Sequence, residues 1–159
     1  MGDPRVPRLT VAGPQSGWGA LCAALTADLP DFFGLAESNV AYARAADELP
    51  CLVGSVDDRA AGLAILRPTS DAATELHFIG VLRACQGMGL GGALVRAAEA
   101  HLRACGVRWF HVKTLGPSRP DEGYARTRAF YRAMGFDPLE ELTQVWGPEN
   151  PCLVMAKRL

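Results

Sequence analysis

The 159-residue chain lacks most of the features that would assign it to a function class at once. It has no C-x-x-C pair. Its five cysteines (Cys22, Cys51, Cys85, Cys105, Cys152) are odd in number and scattered, which suggests neither a disulfide framework nor a zinc site. Its three histidines lie far apart in sequence, so no metal centre is expected. It has no excess of charge: 16 Lys and Arg against 17 Asp and Glu give a net −1. That balance argues against a nucleic-acid partner and gives no pull toward an anionic membrane surface. It has no long apolar run either. The longest charge-free stretch, Leu9 to Ala27, is broken by Pro14, Gln15 and Ser16, and no apolar signal core follows Asp3, Arg5 and Arg8. No membrane partner is expected, and the expected location is the cytoplasm. Internal repeats and low-complexity tracts are also missing.

The remaining composition is that of a folded domain, 49% hydrophobic and 21% charged, and the length fits a single domain over 1–159. Period and punctuation place its elements. Val6 to Val11 reads as a first strand. Ser16 reads as the N-cap of a helix with Trp18, Leu21, Cys22, Leu25 and Leu29 on one face, stopped by Pro30. A turn carrying an exposed-looking Phe32-Phe33 pair and a second helix, Ser38 to Glu48, follow. Cys51 to Val56 and Gly62 to Leu66 form a hairpin across Asp57-Asp58-Arg59, and Thr74 to Leu82 is the next strand. A long helix then puts Leu90, Leu94, Ala98, Leu102 and Cys105 on one face and Arg96, Glu99 and Arg103 on the other, and Gly106 closes it. Val107 to Thr114, a helix from Gly123 to Met134 closed by Gly135, and strands at Leu139 to Trp146 and Cys152 to Lys157 complete the chain. The order β-α-α-β-β-β-α-β-α-β-β predicts a mixed α/β (α+β) domain with one central βαβ unit and helices on both faces of a sheet.

The strongest chemical signal is Gln86-Gly87-Met88-Gly89-Leu90-Gly91-Gly92, between a strand and a helix. Glycines there let a ligand approach the backbone, and a helix start offers N–H groups and the positive end of the macrodipole. The segment therefore reads as a phosphate or pyrophosphate cradle. The plainer alternative is a turn that packs a helix close to a sheet. Gly87, Gly89 and Gly92 also satisfy the dinucleotide spacing G-x-G-x-x-G, which would make the chain a nicotinamide-binding oxidoreductase. That reading expects a ribose-binding carboxylate about 20 residues on, and Phe110-His111-Val112-Lys113 stands there instead. No Gly-Lys-Ser/Thr ends the loop, so a P-loop is excluded.

Coenzyme A wants the same cradle, and here the sequence resembles a known family. Gln86-x-x-Gly89-x-Gly91 is similar to the Q/R-x-x-G-x-G/A motif of the GNAT superfamily, the GCN5-related N-acetyltransferases. It follows Glu75-Leu76-His77-Phe78-Ile79-Gly80-Val81. Further on, Arg128-Ala129-Phe130-Tyr131-Arg132-Ala133-Met134-Gly135-Phe136 resembles that family's penultimate helix. The resemblance implies a GNAT-like fold and acetyl-CoA as co-substrate, with no metal. The backbone of Ile79 and Val81 would hold the pantetheine, and the N–H groups of Gln86, Gly87, Met88, Gly89, Leu90, Gly91 and Gly92 the pyrophosphate. Tyr131 would be the general acid for the leaving thiolate, or else a core aromatic beside Phe130 and Met134.

Glu75 is a candidate general base and His77, with an ordinary imidazole pKa near ~6.5, its rival; alternation puts both on the face of Ile79 and Val81. Their plain readings are a solvated strand-end glutamate and a core histidine. Tyr124 stands where the family commonly has a pantetheine-contacting asparagine, and its hydroxyl is the substitute. Thr127 replaces the usual alanine. Asp121 reads as a helix cap. The longer connection Leu115 to Gly123 lies beside the expected acceptor site. Phe32, Phe33, Tyr42, Trp109 and Trp146 are its aromatic candidates, and Glu140 and Glu141 its attractors for a cationic amine. Cys85 reads as a spectator. The expected function is acetyl transfer to a primary amine, on a small molecule rather than a protein. The alternative is a coenzyme A-binding regulatory module without turnover. A homodimer is compatible with this family.

Overall fold

A computed structural model of the chain describes residues 5–159; residues 1–4, Asp3 among them, lie outside it. The elements are β1 (Leu9–Gln15), α1 (Gly19–Asp28), α2 (Ala36–Glu48), β2 (Cys51–Val56), β3 (Arg59–Pro68), β4 (Ala73–Val81), a 3-10 turn (Arg83–Cys85), α3 (Leu90–Ala104), β5 (Trp109–Leu115), α4 (Glu122–Ala133), β6 (Asp137–Leu142) and β7 (Cys152–Arg158). The hydrogen-bonded strand order is β1-β2-β3-β4-β5-β7-β6. The sheet is mixed: β4 and β5 are parallel, while β1–β2, β2–β3, β5–β7 and β6–β7 are antiparallel. The mixed α/β class and element order expected from the sequence are those observed. The described backbone divides into two compact units, residues 5–65 with 78–98, and residues 66–77 with 99–159.

In the first unit, β2 and β3 form the expected hairpin, with a tighter turn. Arg59 already pairs with Val56, leaving Asp57 and Asp58 at φ 48° and 66°. Two left-handed central residues match the twist of a two-residue hairpin, and Asp tolerates that conformation better than most. β1 lies further along than Val6 to Val11, because Pro7 has no N–H for a ladder and the Arg8 N–H goes to Asp57 Oδ1 at 3.0 Å. The α1 face is as expected: Cys22, Leu25 and Leu29 are buried, and Trp18 and Leu21 pack on the same core as Val53, Leu63, Ile65 and Phe78.

Ser16 does not cap α1. Trp18 is the N-cap, without a side-chain bond, and the Asp47 carboxylate from α2 takes the Gly19 N–H at 2.8 Å. The first turn is thus satisfied by an anion from another helix, which sequence spacing cannot reveal. A Cβ on residue 19 would stand 2.3 Å from Asp47 Oδ2, so glycine is needed for this contact. Phe33 is half-buried, its ring 5.0 Å from Phe78 and 5.9 Å from Tyr42, so the Phe32-Phe33 pair is not a free surface. Burial pushes the Cys22 thiol up to about 12 and the Cys51 thiol up to about 11, and nearby Asp47 adds to both, so both stay protonated and inert.

In the second unit, β5 is paired with β7 along its whole length. Tyr131, Phe136 and Phe110 stack in sequence, with centroids 5.8 and 5.3 Å apart. Asp121 caps α4 as expected, accepting the Tyr124 N–H at 2.9 Å. Two α3 assignments differ. Cys105 is exposed, and Glu99 is buried, accepting from Lys157 Nζ at 2.7 Å. The same ammonium donates to the Met134 carbonyl, closing α4 with a cation as its dipole favours. β6 stops at Leu142 rather than Trp146. Gly147 at φ 87°, followed by Pro148 and Pro151, makes the stretch up to β7 a set of turns.

Candidate active site

The glycine segment is built by backbone. After β4 the chain turns through Arg83–Cys85, with Cys85 N–H to Leu82 O at 2.8 Å, and enters α3 at Leu90. Gly87 and Gly89 take φ 80° and 90°. A Cβ at residue 87 would meet nothing within 4 Å, so conformation rather than crowding demands glycine there. Gln86, Gly87, Met88 and Gly89 are exposed, while Leu90 is buried and seated over Gly54. The helix start is therefore fixed to the sheet by Leu90 and open to solvent just before it. Ala93 N–H is bonded to Gly89 O, so Leu90, Gly91 and Gly92 occupy the first turn, whose N–H groups have no intrahelical acceptor.

The Gln86 side chain folds back, donating from Nε2 to Val81 O at 3.2 Å, and ties the turn to the end of β4. Asp28 accepts the Arg83 N–H at 2.7 Å and Asp31 pairs with the Arg83 guanidinium. The segment carries no carboxylate, and its chemistry is that of an anion cradle. On β4, Ile79 and Val81 are half-buried and alternate with buried Phe78 and Gly80, on the face that carries Glu75 and His77.

A second cluster is built by side chains. The parallel ladder between β4 and β5 covers Ala73–Trp109, Thr74–Phe110 and Glu75–His111, and stops there although β4 continues to Val81 and β5 to Leu115. Glu75 and His77 on β4 and His111 and Lys113 on β5 make a polar square on one sheet face. Glu75 is not a solvated strand end, since its side chain is 6% exposed. Oε1 accepts from His77 Nδ1 at 3.0 Å, Oε2 accepts from Lys113 Nζ at 3.0 Å, and the Arg67 guanidinium stands 3.5 Å from Oε2. Burial alone would raise its pKa. The hydrogen bonds from His77 and Lys113 and the charges of Lys113 and Arg67 outweigh it and bring the carboxyl down from 4.5 to about 2. His111 Nε2 lies 2.9 Å from Thr69 Oγ1, which also donates to Ala73 O. Burial lowers the His111 pKa, against the pull of Glu75, so its neutral form is favoured.

Sequence reasoning passed over Lys113, His111 and Arg67 as site residues. The available signal was alternation: a central strand reading Trp-Phe-His-Val-Lys has its two polar residues on one face opposite two apolar ones. Tyr131 is buried among Phe130 and Phe136. Tyr124 is half-buried on the first turn of α4. Of the acceptor candidates, Trp109 and Trp146 are largely exposed, while Tyr42 belongs to the Phe33–Phe78 stack. Glu141 is occupied: its carboxylate accepts the Ser118 N–H at 3.0 Å and the Ser118 hydroxyl, and these bonds lower its pKa. It fastens the β5–α4 connection rather than offering a free charge; Glu140 is exposed. Among the described residues no group of three or more His, Cys, Asp or Glu is arranged to hold a metal ion, and no helix is long and apolar enough to cross a membrane.

Comparison with known proteins places this mixed sheet, whose fourth strand leads through a glycine turn into a helix, in a family. The family model described as the acetyltransferase (GNAT) family matches residues 18–136. The chain belongs to the acetyltransferase (GNAT) family and is an N-acetyltransferase by that membership. No curated relative matches the sequence. Among solved structures, a GNAT-family protein from Desulfovibrio desulfuricans is similar at TM-score 0.82 and 21% identity, over 95% of this chain and 99% of that one. The ribosomal-protein-S18-alanine N-acetyltransferase from Escherichia coli is similar at 0.76 and 18%, over 95% and 94%. A GNAT family acetyltransferase from Elizabethkingia anophelis with acetyl-CoA bound is similar at 0.68 and 14%, over 95% and 98%. At such identities these likenesses establish the fold.

Proposed function

We propose that the whole chain acts as one acetyl-CoA-dependent N-acetyltransferase domain that acetylates a primary amine on a small molecule by direct attack. The observation that carries the donor is the exposed, carboxylate-free turn Gln86–Gly89, with Gly87 and Gly89 in left-handed conformation at the start of α3. Its N–H groups, with those of Leu90, Gly91 and Gly92, would hold the pyrophosphate, and the backbone of Ile79 and Val81 the pantetheine. Acetyl-CoA bound in a relative supports the same donor here. Tyr124 is assigned to the pantetheine end of the site.

In the transfer, a C–N bond forms between the amine and the acetyl carbonyl carbon and the C–S bond breaks. The chain's residues manage the two protons. The Glu75–His77 pair takes the one released by the amine, a role worth about 10²–10⁴-fold in rate. Tyr131 delivers one to the departing thiolate. The near-zero net charge supports a small acceptor over a nucleic-acid-bound or strongly charged one. Five free thiols fit a reducing, cytoplasmic compartment.

The test is release of free thiol from acetyl-CoA across an amine library, with Glu75→Gln, His77→Gln and Tyr131→Phe variants alongside. Turnover by the native protein that falls sharply in these variants is the expected result. Binding of acetyl-CoA with no thiol release from any amine would leave the regulatory-module reading instead.

A further inference from the structure

We propose that Lys113, with Arg67 beside it, is a positioning residue: the two cations hold Glu75 as a fixed anion that orients the His77 ring, and His77 rather than Glu75 takes the amine proton. This rests on the reading above only in assigning proton handling to the Glu75–His77 pair. Both Glu75 oxygens are already engaged. Oε2 accepts from Lys113 at 3.0 Å and faces Arg67 at 3.5 Å, while Oε1 faces His77 Nδ1 at 3.0 Å. A carboxylate against two cations holds a proton poorly.

The imidazole has the complementary arrangement. A carboxylate can only accept, so Nδ1 of the neutral ring carries the hydrogen, and the proton-accepting lone pair is on Nε2. Exposure follows the same division: the His77 side chain is 24% exposed against 6% for Glu75. A buried carboxylate fixing the tautomer of a more exposed imidazole is the division of labour of other acyl-transfer sites.

The groups facing Glu75 come from several elements. Arg67 comes from β3 and His77 from β4 itself. His111 and Lys113 come from β5, and the Cys152 thiol from β7 is coupled to both Lys113 and Glu75. His111 adds no charge at neutral pH because burial favours its neutral ring, and burial keeps Cys152 protonated. Lys113 and Arg67 are therefore the counter-charges that set the anion. Lys113 is the one within hydrogen-bonding distance, so it carries the geometry.

Two readouts test this. In steady-state kinetics, Lys113→Met is expected to lower kcat at least about tenfold with KM for acetyl-CoA unchanged. It should also move the acidic limb of the kcat–pH profile upward, because a cation has been removed from the cluster that holds the proton acceptor. Lys113→Arg should restore most of both. In ¹⁵N spectra of the histidine rings, with His77 assigned through His77→Gln, the native ring should be protonated at Nδ1, and Lys113→Met should weaken that preference. A folded Lys113→Met with native kcat and an unmoved limb would overturn the proposal. So would a native His77 ring protonated at Nε2, or His77→Gln keeping the activity that Glu75→Gln loses. Absence of turnover with every amine would overturn the proposed function, while the ring spectra still decide the positioning.

Discussion

The two candidate regions are made of different material. The turn Gln86–Gly89 is exposed and made by backbone, its shape set by two left-handed glycines and a buried Leu90 anchor. The square of Glu75, His77, His111 and Lys113 is made by side chains, with Glu75 buried and every partner drawn from a neighbouring position or strand. The first tolerates side-chain change but not a change of φ. The second tolerates small backbone adjustments but not loss of a charge. The proposed recognition of the donor rests on atoms that every residue carries, and the proposed proton handling on atoms that only particular residues carry.

The comparison breaks most visibly at His77. His77→Gln is expected to lower kcat by about 10²–10⁴-fold while calorimetry shows unchanged acetyl-CoA affinity. An equal loss of affinity would mean that the two regions are not separable. Next is the stability held in Glu75. Its pKa falls from an ordinary 4.5 to about 2 on folding. The stabilisation is therefore complete above 4.5 and is lost as the pH falls from there toward 2. The full swing is about 3 kcal/mol. Denaturant melts of native protein and Glu75→Gln should differ by that order at pH 6 and converge as the pH approaches 2.

On the backbone side, Gly89→Ala forces a Cβ into φ 90° and should cost about 1–2 kcal/mol, read as roughly tenfold weaker acetyl-CoA binding with kcat at saturation retained. The smallest effect is expected at Asp121→Ala, which removes the α4 cap and should cost about 1 kcal/mol in thermal stability without touching either region.

What the sequence disclosed follows the same division. The glycine turn was legible because its requirement is local: four glycines in a row of six residues directly before an amphipathic helix can be read without knowing any neighbour. The α1 face, the Asp57-Asp58 hairpin and the Asp121 cap were legible for the same reason. The ring of partners around Glu75 was not, because it depends on β4 and β5 lying parallel with Glu75 opposite His111, and on Arg67 and Lys113 reaching across from other strands. The cap of α1 was misplaced for a like cause, since Asp47 supplies it from another helix. Glu141, taken as an attractor for a cationic acceptor, is held by Ser118 from a distant loop. Local conformational demands can be read along the chain, whereas charge pairing follows only from strand register.

The central claim is that the glycine turn receives the pyrophosphate of acetyl-CoA. Calorimetric titration of the full chain with acetyl-CoA, with NADH as the control ligand, tests it most directly. The account predicts saturable binding of acetyl-CoA at one site, weakened in Gly89→Ala, and no heat with NADH. Binding of NADH alone, or acetyl-CoA binding indifferent to Gly89→Ala, would contradict it.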